Sequence, residues 1–222
     1  MFYQAIFFAE LVVLFFLSRW MIQALSLICY RIFRKERAVI YVLALLFSPG
    51  TLLHELAHML VAALLFVRVG KIELFPYKTE DGIRLGSVAI AHTDPFRRSL
   101  IGLAPLFFGT VGIFLAGYYF SSLPLEPWSA SWRIILLILI IFEIGNTMFS
   151  SKKDVEGIPA LVIVLVLFLV AGYIIGIRIP DAIWIYIYSA GIQAFFRQLS
   201  LYMLVPLSIN ALILFTAKKL SP

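Results

Sequence analysis

Three side chains within a run of five carry the chemistry of this sequence: His54, Glu55 and His58, in His54-Glu55-Leu56-Ala57-His58. On a helix, positions i and i+4 share a face, so both imidazoles point the same way and can hold one metal ion. Glu55 follows the first histidine directly and can reach a water at that metal. Two nitrogen ligands and a carboxylate base at this spacing form the H-E-x-x-H arrangement used for zinc-dependent hydrolysis. The competing reading is a packed helix whose histidines happen to fall four apart. The cost of placing two imidazoles and a carboxylate in an apolar helix weighs against it, since ionisable groups inside membranes mark functional sites.

The element that must position these residues is an apolar segment, 52–67, expected to be a helix within a membrane. The whole chain has that character. Of 222 residues, 63% are hydrophobic and 14% are charged, against about a quarter charged in soluble domains. Mean hydropathy is +1.02. The expectation is an all-α polytopic membrane protein of about six transmembrane helices, forming a single embedded domain over 1–222, with the lipid bilayer as its surroundings. The net charge of +6 comes from basic residues scattered through short loops, such as Arg31, Arg34, Lys35 and Arg37. Those are topology signals and headgroup contacts, and they argue against nucleic acid as a partner. The single cysteine, Cys29, excludes an intrachain disulfide and a cysteine-rich metal site. The first residues are apolar with no basic run before them, which reads as a retained span and not a cleaved signal.

The apolar runs place spans at about 5–28, 38–67, 99–120, 132–149, 158–177 and 199–217, with 182–196 as a short or interfacial helix. Within 38–67, Ser48-Pro49-Gly50 predicts a kink or an unwound turn, with Thr51 as a possible cap for the metal helix. A break at that depth is tolerated only where it is buried in protein or faces a wet cavity. Alternating residues from Lys71 to Phe75, the pair Asp81-Gly82 and the run Ile83 to Ile90 predict a β-hairpin over about 69–92. Its free edge can pair with an extended peptide, or the hairpin merely connects two spans. Basic residues set the orientation. With six crossings, ten lie on the hairpin side (Arg68, Lys71, Lys78, Arg84, Arg97, Arg98, Lys152, Lys153, Lys218, Lys219) and six on the other (Arg31, Arg34, Lys35, Arg37, Arg133, Arg178). The positive-inside rule then puts the hairpin in the cytoplasm.

Two histidines do not complete a catalytic zinc site, so a third protein ligand is expected, with water in the fourth position. The candidates are Asp154, Glu143, His92, Asp94, Glu73 and Asp81. Asp81 is accounted for by turn chemistry in Asp81-Gly82. Asp154, between two membrane helices, would otherwise serve as a helix cap. Glu143 and Asn146 are three apart on one face of an apolar helix and must find partners. Either they face the site, with Asn146 holding the substrate backbone or an oxyanion and Glu143 behind the ligands, or they form an interhelical clasp.

A H-E-x-x-H motif in a membrane helix, a β-hairpin after it and an acidic residue at a later helix junction resemble the site-2 protease family of intramembrane metalloproteases. The resemblance covers roughly 49–157 in layout, and its strict motif is His54 to His58. It implies a zinc-dependent endopeptidase that cuts a membrane-anchored protein within or beside its span. It also implies an aspartate as third ligand, usually followed by glycine. Asp154 stands at the matching junction, but its glycine, Gly157, is displaced by two residues. On this reading His54, His58 and Asp154 bind Zn²⁺, and Glu55 is the general base. Two other functions use the same residues: a membrane metal carrier or sensor, and a protease-like scaffold without activity.

Overall fold

The apolar runs become helices because no water is present in a bilayer to satisfy an open backbone. The computed structural model describes residues 2–75, 77–79, 82–122, 127–149, 154, 156–178 and 180–220. Among them are seven helices and two antiparallel strand pairs, in the order α1 (Phe2–Phe33), α2 (Glu36–Leu64), β1 (Val69–Glu73), β2 (Tyr77–Thr79), β3 (Gly82–Arg84), β4 (Ser87–Ile90), α3 (Pro95–Ser122), α4 (Pro127–Thr147), α5 (Ile158–Ile174), α6 (Asp181–Ile187) and α7 (Ala190–Leu220). By length and composition, α1, α2, α3 and α7 are long and apolar enough to cross a membrane. The surface agrees: every residue of α5 from Val162 to Val170 is exposed. A helix that is apolar all round and unburied suits lipid, not water.

The interior is selected by helical spacing. Along α1, Phe7, Leu11, Leu14, Ser18 and Met21 recur at intervals of four and three and are buried. That stripe meets Leu199 and Met203 of α7 and Ile141 of α4 in one apolar cluster. A second cluster joins Met21, Leu43, Phe47 and Phe142 to Leu85, which lies between β3 and β4. Leu85 is only 1% exposed, so it pins the hairpin to the helices beneath it. Polar pairs tie the same helices together. Ser200 Oγ donates to Glu10 Oε1 at 2.9 Å, and Asn210 Nδ2 donates to Asn146 Oδ1 at 2.6 Å.

The hairpin forms as expected. β1 pairs with β4 through Val69↔Ile90, Ile72↔Val88 and Glu73↔Ser87, with a register shift between the first two. β2 pairs with β3 through Tyr77↔Arg84, Lys78↔Ile83 and Thr79↔Gly82. Asp81 and residues 150–153 lie outside the described residues.

Two expectations fail locally. α2 has no unwound turn, since it runs as one helix through Pro49, and Thr51 is buried inside it, not capping it. Pro49 costs one backbone bond without ending the helix. Gly50 serves packing: a Cβ there would stand 2.6 Å from Thr147 Oγ1 of α4. At the other end, the segments expected at 182–196 and 199–217 do not part between them, since Arg197 and Gln198 lie inside α7 and both are good helix formers. The chain turns instead at Tyr188-Ser189. There Ser189 Oγ accepts the Ile192 N–H at 3.4 Å as α7 begins.

Candidate metal centre

α2 presents one polar face among its apolar neighbours. His54, Glu55 and His58 are all buried, at 3%, 2% and 4% exposure. Asp154 comes from the junction between α4 and α5. His54 Nε2 lies 3.2 Å from Asp154 Oδ2, His58 Nε2 lies 3.4 Å from Asp154 Oδ1, and the two Nε2 atoms are 3.1 Å apart. These three residues form a group that could hold a metal ion. Tetrahedral zinc with bonds of about 2.0–2.1 Å sets its ligand atoms about 3.3 Å apart. The separations here are of that order, although His54 and His58 approach different oxygens of Asp154, so the donor set is close enough to share one ion.

Two of the three residues are fixed from behind. His58 Nδ1–H donates to the Ile101 carbonyl of α3 at 2.8 Å. In the neutral ring that partner assigns the proton to Nδ1 and leaves Nε2 as the bare nitrogen facing His54 and Asp154. Burial alone would raise the Asp154 carboxyl, but when the two imidazoles are protonated their hydrogen bonds and positive charge outweigh it and hold the group well below the usual carboxylate range. An anionic carboxylate is the form that metal binding requires. The Asp154 backbone carbonyl packs against Gly102 of α3, where any Cβ would collide with it. Ser99 Oγ, also on α3, donates to the Gly157 carbonyl at 3.0 Å. α3 thus holds both the second histidine and the segment carrying the aspartate. α5 starts with Gly157 as N-cap and no side-chain cap bond, so Asp154 is not consumed in capping.

A cavity of about 530 Å³ opens over the three residues. Glu55 lines it beside them, and its other walls include Lys71, Glu73, Arg98 and the whole of β4. Gly86 brings the start of β4 down onto α2. A Cβ there would lie 2.6 Å from Thr51 Cγ2, 2.9 Å from the Glu73 carbonyl and 3.2 Å from Glu55 Oε1. Among the described residues, β4 pairs on one side only, with β1. A smaller cleft of about 220 Å³ shares His54 with this cavity and runs between α2, α3 and α4 past Leu56, Phe108, Gly112 and Met148. Its walls are almost wholly apolar.

The structure thus brings His54, His58 and Asp154 together with Glu55 alongside, and among the described residues it leaves the other candidates outside that group. Glu143 is half-buried with its carboxyl at the Gly50 backbone N–H, outside the metal group. Asn146 is fully buried in the clasp with Asn210, and its Nδ2 donates to the Phe142 carbonyl at 2.9 Å. Neither lines the cavity. Asp94 caps α3, its Oδ1 accepting the Arg97 N–H at 2.9 Å. Glu73 Oε2 accepts from Ser87 Oγ at 3.3 Å on the hairpin. His92 is exposed in the loop before α3. No family model, curated protein or solved structure matches the chain.

Proposed function

We propose that this chain is a zinc-dependent endopeptidase of the membrane, of the site-2 protease kind. Its substrate would be a membrane-anchored protein cut within or next to its span. One observation carries the reading: a buried carboxylate, Glu55, lines the same cavity as the three ligands without belonging to them. A carrier, a sensor or an inactive scaffold has no use for that group.

His54, His58 and Asp154 would hold Zn²⁺, which when bound lowers the pKa of a water and polarises a carbonyl. Glu55 takes a proton from the attacking water and delivers it to the leaving amine. The unpaired edge of β4 receives the extended backbone of the substrate by strand addition. The apolar cleft beside His54 takes a large apolar side chain next to the scissile bond; a dry cavity of about 150 Å³ already holds a benzene ring. The count of basic residues puts hairpin and cavity mouth on the cytoplasmic side.

The test is cleavage of membrane-anchored reporter proteins by zinc-loaded chain in detergent. Glu55→Gln is expected to keep its metal and lose about 10²–10⁴-fold in turnover, the usual worth of a general base. Undiminished cleavage by that variant refutes the mechanism. Bound zinc with no hydrolysis of any reporter favours the carrier or sensor.

A further inference from the structure

We infer that Pro105 is a positioning residue for the metal centre, acting through the backbone of α3 on the proton of His58. In an α-helix the carbonyl of residue i accepts the N–H of residue i+4. The residue four after Ile101 is Pro105, which lies inside α3 and is buried. Proline has no N–H to give, and its ring crowds the carbonyl four residues back. The Ile101 carbonyl is therefore deprived of its helical donor at that position, in an apolar interior where an unpaired carbonyl is costly. His58 Nδ1–H fills the vacancy at 2.8 Å. The pairing solves two problems at once. It satisfies the carbonyl that Pro105 releases, and it confines the imidazole proton to Nδ1, so that Nε2 stays bare, 3.1 Å from His54 Nε2 and 3.4 Å from Asp154 Oδ1.

Pro105→Ala restores an N–H inside the helix to compete for the Ile101 carbonyl. His58 then loses its exclusive partner and its fixed tautomer. Loss of an outer partner of a ligating histidine typically costs about 10–100-fold in metal affinity.

The inference rests on the metal-site reading, and two readouts separate their fates. The first uses nitrogen-15-labelled histidine in metal-free protein at alkaline pH, where only three histidines contribute. Wild type is expected to show His58 as the single Nδ1–H tautomer. Pro105→Ala and Pro105→Ser, which restores the same N–H, are expected to show a mixture. The second is zinc affinity by chelator competition, expected to fall about 10–100-fold in both variants and to stay at the wild-type value in Pro206→Ala, a proline substitution in α7. An unchanged tautomer in the Pro105 variants overturns the inference. So does an equal loss of zinc in Pro206→Ala, which would mean general loosening of the helices. Absence of zinc from folded wild type removes the metal reading, while the tautomer still decides whether Pro105 sets the proton.

Discussion

Two polar clusters sit buried in this bundle, and they are built on opposite principles. Asn210 Nδ2 donates to Asn146 Oδ1, and Asn146 Nδ2 in turn donates to the Phe142 carbonyl. That pair is fully buried, at 0% exposure for both, and lines none of the cavities around the site. His54, His58 and Asp154 instead turn possible ligand atoms towards one another within 3.4 Å, beneath a cavity of about 530 Å³. The first arrangement joins donor to acceptor with one atom, Asn210 Oδ1, left without a hydrogen-bond partner, and it holds α4 to α7. The second is a group that could hold a metal ion. Polar residues in a membrane helix thus divide by whether their atoms complement or repeat one another.

The comparison breaks most sharply at α3. Gly102→Val drives a side chain into the Asp154 backbone and should displace the third ligand. Zinc affinity is expected to fall by about 10–100-fold or more while the helical content holds, read by chelator competition beside circular dichroism. Unaltered affinity would mean that Asp154 is not held by this contact.

At the other cluster, Asn210→Leu leaves Asn146 buried with an unpaired acceptor. It should cost about 1–3 kcal/mol of stability, the price of an orphaned buried group. Exchanging both for leucine should cost less than the single change. Zinc content should stay at the wild-type level in each. Equal zinc loss at both clusters would erase the distinction between them.

The smallest expected effect is at the rim. The Arg97 backbone N–H holds the Asp94 carboxyl below its ordinary range. A depressed folded pKa contributes stability that is present above the ordinary value of about 3.9 and is lost as pH falls through the folded value. Asp94→Ala should therefore lower the melting temperature slightly at neutral pH, and the gap from wild type should close in strong acid. A gap that stays constant with pH would show that the cap bond contributes nothing.

Much of this was legible from residue types alone. The spacing of His54 and His58 fixes a shared face, and Glu55 follows from it. Alternation on either side of Asp81-Gly82 gave the hairpin. The helix runs were legible as apolar segments, but their ends were not: a proline at 49 and a charge at 197 interrupt the hydropathy pattern without interrupting the backbone. The partner of Asn146 was harder, because Asn210 is 64 residues away and one amide in an apolar run says nothing about which helix it meets. Gly86 and Gly102 read as ordinary small residues, since what approaches them is set by tertiary packing. The Ile101 carbonyl has no side-chain signature, although Pro105 four residues later was its available signal.

One measurement tests the three-ligand centre most directly: zinc per chain after detergent purification, for wild type, His58→Ala and Asp154→Ala. The expected result is about one zinc in wild type and none in either variant. Zinc retained by Asp154→Ala, or absent from folded wild type, would contradict the three-ligand centre.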